Sequence, residues 1–194
     1  MVFNMKKINY YFVILFLIFL FCSCDLSPKY ISEAELEEYK NKFIQKGYTS
    51  YSFDCSLEYA VPNTYVAHIV IKDGELVTKK FSWIRGGAVD EENCDEKITE
   101  LKKWKNYENS YDKIFVEEMN TMEDVFELIA TIYQREKNEY EQDKTHHHLE
   151  SEVKYDKKNC VPLYFHCNNS PRPLLPMPVY SGINVQVKNF KVDE

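Results

Sequence analysis

The chain has 194 residues and is acidic, with 24 lysines and arginines against 31 aspartates and glutamates and a net charge of −7. An acidic surface repels nucleic-acid phosphates and anionic lipid head groups, so we expect no nucleic-acid partner. The sequence contains neither of the common glycine-rich phosphate loops, GxGxxG and GxxxxGK[ST], nor the GxSxG of serine hydrolases. Composition and motifs therefore exclude the commonest nucleotide-binding and hydrolase sites.

The chain begins with a segment typical of a secretory signal. Lys6 and Lys7 precede twelve apolar or aromatic residues without charge, 10–21. A short basic stretch followed by an apolar core of this length is the pattern of a signal peptide, whereas a membrane-spanning helix needs about 20 apolar residues. We predict that residues 1–23 are a signal peptide. Its removal leaves 171 of the 194 residues and, because both lysines are lost, changes the net charge from −7 to −9.

The signal ends in Phe21-Cys22-Ser23-Cys24, which resembles the lipobox of bacterial lipoproteins, although Phe21 stands where leucine is usual. The resemblance implies lipid transfer to the Cys24 thiol, cleavage after Ser23 and acylation of the new amino group. Two or three acyl chains hold a protein on a membrane far more firmly than one. We therefore predict a membrane-anchored protein of the bacterial cell envelope, on the extracytoplasmic side. Residues 24–31 would be its lipidated tether and 32–194 a single domain.

The first half of the domain is predicted to form one helix and three strands. Ser32 opens a capping box and Gly47 supplies a left-handed stop, so a helix is predicted over 33–46. Asp73-Gly74 favours a tight hairpin, because both turn positions require positive φ. Alternation of apolar and polar residues predicts the strands. These are, in chain order, 51–57, 64–72 and 75–83.

The middle of the chain contains the strongest helix signal. Residues 85–110 are polar and charged and are predicted to be an insertion, with one helix over 95–105. Thr121-Met122-Glu123-Asp124 opens a second helix, which becomes fully polar from Gln134 to about Asp143. Its apolar face is broad enough to lie across a sheet. The residues of this face are Val125, Phe126, Leu128, Ile129, Ile132 and Tyr133.

The last third of the chain is predicted to form three further strands, at 153–156, 161–167 and 183–187, with a bulge near Asn189. Residues 171–178, PRPLLPMP, have four prolines and can form neither a helix nor a central strand. The order of elements indicates an α+β fold. Its mainly antiparallel sheet would have about five to six strands, with one long helix packed on it and a helix at the N-terminus.

Residues 48–81 and 119–192 are similar to a family of small exported bacterial domains of unknown function. The shared features are an aromatic first strand, an Asp-Gly hairpin, a Val-Phe-Glu-Leu-Ile helix and a Val-x-Tyr-Asp strand. These correspond to Tyr51-Ser52-Phe53, Asp73-Gly74, residues 125–129 and Val153-Lys154-Tyr155-Asp156. The family usually has Gly-Tyr-Pro where this chain has Cys160-Val161-Pro162. The resemblance supports the fold and implies no catalytic residue.

Four cysteines remain beside the lipidated one, and an even number in an exported protein is compatible with two disulfides. They are Cys55, Cys94, Cys160 and Cys167. If 161–166 is extended, Cys160 and Cys167 lie roughly 23 Å apart, whereas a disulfide requires Cα atoms within about 7 Å. We therefore predict that Cys55 pairs with Cys160 or Cys167 if disulfides form. The alternative is that all four thiols stay reduced and buried.

Three groups of residues invite a chemical interpretation. His146-His147-His148 suggests a metal site, but consecutive side chains diverge, so a solvated loop is the preferred prediction. Cys55 and His68 lie on predicted neighbouring strands and could form a nucleophile pair. No helix start or basic group next to Cys55 would activate its thiol, which favours a core or disulfide role. His166 with the nearby cysteines lacks the spacing of a zinc site.

The sequence therefore favours a non-catalytic binding module of the cell envelope, anchored to a membrane, with an unknown envelope protein or ligand as its partner and no cofactor or metal. The alternative is a hydrolase or thiol enzyme whose site is assembled only in three dimensions. A pocket that gathers Cys55, His68 and a carboxylate would favour the enzyme, and a filled core at Cys55 would argue against it.

Overall fold

The computed structural model describes residues 30–59, 63–85, 88–90, 94–144, 147–171 and 182–193. Cys24, the predicted lipobox and the predicted tether up to residue 29 lie outside the described residues, as do His146 and residues 172–178 of the proline-rich segment. The structure therefore describes the domain and does not test the predicted lipid anchor.

The described part of the domain is built on one sheet of seven strands in the order β4-β3-β2-β1-β7-β6-β5, and all neighbouring pairs are antiparallel. The central strand β1 lies between β2 and β7, so it joins the N-terminal and C-terminal halves of the chain. The strands are β1 (Tyr51–Tyr59), β2 (Asn63–Lys72), β3 (Glu75–Arg85), β4 (Ala88–Asp90), β5 (His147–Asp156), β6 (Val161–Pro171) and β7 (Ile183–Val192). This confirms the predicted α+β fold with six long strands. The three-residue β4 was not predicted.

The turns of the sheet follow the local sequence. Asp73 and Gly74 have φ of 52° and 82°, as the β2–β3 hairpin requires. Asn189 has φ of 53°, and the β1–β7 register shifts between Ser52 and Asp54. The predicted bulge in β7 is therefore confirmed. Cys160, with φ of 62°, ends the β5–β6 turn.

Within the described residues, four helices accompany the sheet: α1 (Glu33–Lys46), α2 (Cys94–Leu101), α3 (Tyr111–Lys113) and α4 (Met122–Gln142). A 3₁₀ turn, Tyr107–Asn109, precedes α3, and a π-helical turn, Ile114–Glu118, follows it. α1 begins at the Ser32 cap, whose hydroxyl accepts from the Glu35 N–H at 3.2 Å. Both halves of the capping box between Thr121 and Asp124 are present at the start of α4.

The core lies between the sheet and the helices. Tyr51, Phe53, Cys55 and Leu57 of β1 are all at most 3% exposed, while the side chains between them turn to the opposite face. The predicted apolar face of α4 packs against this core with every residue at most 3% exposed, which confirms that prediction. Its residues are Val125, Phe126, Leu128, Ile129, Ile132 and Tyr133.

Two expectations need correction. The segment predicted as a polar insertion contributes to the core, because Leu101 and Tyr107 are each 3% exposed, and its helix ends at Leu101 rather than at 105. The histidines at 147 and 148 do not lie in a loop but begin β5, where His147 pairs with Pro171 and its ring Nδ1 lies 3.2 Å from Asn169 Oδ1. In both segments, contacts with distant residues outweigh the local polarity that favoured a loop.

The sheet has a charged residue on its core face. Lys79 of β3 lies opposite Ile69 and therefore points to the same side as this core residue. Its ammonium donates to Asn120 Oδ1 at 3.2 Å and lies 5.4 Å from the centre of the Phe81 ring. Burial lowers the pKa of Lys79 from 10.5 to about 8, since the charged form loses its hydration.

Lys79→Met is expected to raise the free energy of unfolding at pH 7 by about 1–3 kcal/mol, because the buried charge is replaced by an apolar side chain of similar length. The unfolded chain keeps Lys79 protonated up to its ordinary pKa, whereas the folded chain releases the proton near pH 8. Wild-type stability should therefore rise between about pH 8 and 10.5, and the gain of the variant should shrink over that interval. Urea unfolding at pH 7 and pH 10 measures both effects.

Lys80→Met, at the exposed neighbouring position, is the matched control and should change stability by less than about 0.5 kcal/mol. Equal effects at 79 and 80 would show that Lys79 is not desolvated.

Candidate functional site

The four cysteines are buried and form no disulfide in the described structure. Cys55 lies opposite Val187 of β7, and Cys167 lies opposite Ile183 of the same strand. Two strand spacings and four residues of offset separate them by about 16 Å, too far for a disulfide. Cys160 is a free thiol as well, so the predicted pairing of Cys55 with Cys160 or Cys167 is not formed in this structure.

The sheet also separates Cys55 from His68. Cys55 is 0% exposed on the core face, whereas His68 lies on the opposite face and is paired with Asp54, with 2.6 Å between Nδ1 and Oδ1. Burial raises the pKa of the Cys55 thiol far above its usual range, and that of Cys167 to about 12. A protonated thiol is a poor nucleophile. The nucleophile pair considered from the sequence is not assembled, and a filled core occupies the position of Cys55.

Metal-ligating side chains do not converge either. Within the part of the chain that the structure describes, no three His, Cys, Asp or Glu side chains lie close enough together to hold a metal ion. His166 Nδ1 lies 2.7 Å from Asn184 Oδ1 on the neighbouring strand β7, and its ring stacks with that of Tyr164. These contacts indicate a structural role for His166.

The structure instead shows a pocket of about 530 Å³ at the end of the sheet away from the Asp73-Gly74 turn. Three neighbouring strands supply its floor, with Tyr59 from β1, Tyr65 from β2 and Trp83 from β3. The Tyr65 and Trp83 rings meet edge to face, with their centres 4.4 Å apart. This volume lies in the range that suits a small organic ligand.

One wall of the pocket is the segment between α2 and α3. It contributes Trp104, which is 66% exposed at the rim, and the buried Tyr107, together with Tyr111 of α3. α3 starts at Ser110, whose hydroxyl accepts from the Lys113 N–H at 3.2 Å. A π-helical turn follows α3, and such turns are frequent at functional sites.

The opposite wall is the C-terminal half of α4, with Arg135, Glu136 and Glu139. The Tyr111 hydroxyl donates to Glu136 Oε1 at 3.0 Å. The guanidinium of Arg135 lies 5.0 Å from the centre of the Tyr111 ring and donates to the Asn109 carbonyl at 2.6 Å. These contacts join the two walls through Tyr111.

Asp112 is the most buried charged group of the pocket, with 8% of its surface exposed. Its Oδ1 has no hydrogen-bond partner among the residues that the structure describes, while the Tyr59 hydroxyl bonds to the same carboxyl group. Burial raises the pKa of both Asp112 and Glu136, since a carboxylate loses hydration there. Burial also raises the pKa of the pocket tyrosines, so their hydroxyls stay protonated at neutral pH.

Sequence reasoning did not identify this pocket. A signal was present in 101–112, where Leu101, Trp104, Tyr107 and Tyr111 recur at intervals of three and four residues among polar ones. This spacing indicates one apolar face of a helical segment. The acidic residues of the pocket have no comparable spacing in the sequence. Asp112 and Glu136 line the same pocket only because α3 lies against α4 in the fold.

The chain matches no protein-family model, no curated protein and no solved structure. Its resemblance to small exported bacterial domains therefore stays a prediction. None of the described helices has the length and apolar character that crossing a membrane requires.

Proposed function

We propose that the protein is a bacterial lipoprotein, held by lipid on Cys24 at the extracytoplasmic side of a membrane, and that its domain is a non-catalytic module that binds a small organic ligand. The lipobox at 21–24 supports the anchor. The domain is acidic, so the acyl chains rather than surface charge would hold it on an anionic membrane.

The observation that carries the binding function is the pocket itself. Six aromatic side chains and three carboxylates surround a space of about 530 Å³. Aromatic walls with a few fixed polar groups are the usual composition of a ligand site. Cysteine and histidine are missing among the described residues that line it. The pocket therefore offers surfaces for binding rather than a thiol or imidazole for covalent chemistry.

A hydrolase is the second candidate, because Asp112 and Glu136 line one pocket and burial raises the pKa of both. Two carboxyl groups of this kind serve as acid and base in many glycoside hydrolases. Release of nitrophenol from nitrophenyl glycosides, lost in Asp112→Asn, would support this candidate. The Tyr111–Glu136 hydrogen bond at 3.0 Å favours binding instead, since it occupies one of the two carboxylates.

Trp104→Ala is expected to weaken ligand retention strongly while leaving the fold intact. The side chain is 66% exposed at the pocket rim, so its loss should lower the free energy of unfolding by less than about 1 kcal/mol. Stacking on an indole, by contrast, is a large share of the binding energy of a small ligand. Native mass spectrometry of protein purified from its membranes in detergent measures the small molecules that remain bound.

Tyr164→Ala is the control, because this aromatic residue lies on β6 outside the lining of the pocket. Wild-type protein and the control should carry the same bound masses, and Trp104→Ala should lack them. Identical bound masses in all three proteins would contradict a binding role for the pocket.

A further inference from the structure

We infer that the pocket binds a substituted ammonium ion, a positively charged nitrogen that carries apolar substituents. This inference rests on the binding function proposed above and names the chemical class of the ligand. It follows from the combination of aromatic faces, an acidic lining and one buried carboxylate oxygen without a partner.

The aromatic lining favours a cation over a neutral molecule. The face of an aromatic ring carries negative electrostatic potential and attracts a cation within about 6 Å of its centre. Several such faces around one space form the kind of cage that recognises quaternary ammonium groups. The rings available here are those of Tyr59, Tyr65, Trp83, Trp104, Tyr107 and Tyr111.

Asp112 supplies an independent reason. Asp112 has 8% of its surface exposed, lines the pocket and leaves Oδ1 without a hydrogen-bond partner among the described residues. A buried charge without a counter-ion destabilises the fold unless a ligand offsets it. The hydroxyl of a sugar could donate to Oδ1 but would leave the negative charge uncompensated, whereas the positive charge of an ammonium ion offsets it whether or not the nitrogen carries a hydrogen.

The wall of the pocket already contains a contact between a cation and an aromatic ring. The guanidinium of Arg135 lies over the Tyr111 ring at 5.0 Å. Among the described residues of the lining, Arg135 is one positive charge against the carboxylates of Asp112, Glu136 and Glu139, so this part of the lining is acidic. A bare metal ion is a poor fit, because the described side chains offer no group of three ligands.

The binding should depend on pH with a defined sign. Asp112 interacts with Tyr59, Tyr65 and Tyr107 from three elements, and Glu136 accepts from Tyr111 beside Arg135 and Glu139 on α4. The tyrosines stay neutral, so the carboxyl groups of the lining are the ones that titrate, and two of them, Asp112 and Glu136, are desolvated. Burial raises the pKa of both. A cation prefers their ionised form, so affinity should already fall at a pH above that which protonates exposed carboxyl groups.

The test compares two probes of the same shape, choline and its neutral isostere 3,3-dimethyl-1-butanol. Both tryptophans of the chain, Trp83 and Trp104, line the pocket, so intrinsic fluorescence reports on this site. Full-length protein in a maltoside detergent is titrated with each probe at constant ionic strength, and calorimetry follows the same titrations. Choline should give a saturable change, and the alcohol should bind at least about tenfold more weakly.

Asp112→Asn should weaken choline binding at least about tenfold, because it removes the charge and keeps the shape. Glu139→Gln, at an exposed position of the pocket, should weaken choline binding by a smaller factor. This variant keeps the test valid if Asp112→Asn does not fold. Glu75→Gln removes one negative charge at the opposite end of the sheet and should bind choline as the wild type does.

Equal binding of choline and the alcohol, or unchanged choline binding in both pocket variants, would overturn the ammonium inference and leave the binding function standing. The absence of any saturable change with choline would overturn it as well. In these cases the comparison of bound small molecules between the wild type and Trp104→Ala, by native mass spectrometry, decides separately whether the pocket binds a ligand of another class.

Discussion

Leu128→Ala is expected to lower the free energy of unfolding by about 2–5 kcal/mol, and Ile129→Ala by a similar amount. Both side chains are 0% exposed on the face of α4 that covers the sheet. Each substitution removes apolar contacts and leaves a cavity, because the sheet beneath is tied by hydrogen bonds and cannot collapse into the space. Two such losses would consume a large part of the stability of an ordinary domain.

Urea unfolding of the two variants measures this cost. Asn138→Ala, at an exposed position of the same helix, is the control and should change the free energy of unfolding by at most about 0.5 kcal/mol. Costs below about 1 kcal/mol for both Leu128→Ala and Ile129→Ala would mean that this face does not form the core.

Cys24→Ala is expected to abolish lipid attachment completely. The thiol of Cys24 is the only acceptor at the lipobox position, and alanine offers no nucleophile for acyl transfer. Cleavage after Ser23 should fail with it, since in bacterial lipoproteins lipid attachment precedes cleavage. Incorporation of labelled palmitate and the apparent mass of the protein on a gel measure the two steps.

Cys22→Ala is the matched control. This cysteine lies two positions earlier in the same segment but would place the bulky Phe21 where the lipobox has a small residue. The variant should keep palmitate labelling and processing. Labelling of Cys24→Ala at the wild-type level would refute the anchor.

The elements with their own local signals were predictable from the sequence. α1 has its cap at Ser32 and its stop at Gly47, the β2–β3 turn has Asp73-Gly74, and the start of α4 has a complete capping box. Each of these caps and turns involves residues no more than four positions apart, so it can be predicted from the sequence alone. The long helix with its apolar face then leaves few arrangements other than a layer on an antiparallel sheet.

The elements that depend on distant partners were not predictable. β5 begins at His147 because β6 continues to Pro171 and supplies its hydrogen bonds, although the sequence there is polar. The central position of β1 places Cys55 two strands away from β6, which no spacing of cysteines in the sequence could show.

The candidate pocket depends even more on packing between distant segments. Its floor comes from three strands, one wall from the 3₁₀ turn and α3, and the other from α4. The polar character of residues 85–110 predicts an insertion between the sheet and the long helix. Its aromatic residues in fact cover the end of the sheet, and the carboxylate of Asp112 is buried among them.

Lys79 also affects the self-association of the protein. β4 covers β3 only at Trp83, Ile84 and Arg85, so within the described strands residues 75–82 present unpaired backbone groups at an edge. Leu76 and Val77 there are 42% and 58% exposed, which favours strand addition by a second molecule. Such addition would bring further chain next to the half-buried ammonium of Lys79 and remove more of its hydration, which costs free energy. We therefore expect Lys79 to oppose association, so a more stable Lys79→Met protein should be the less soluble one.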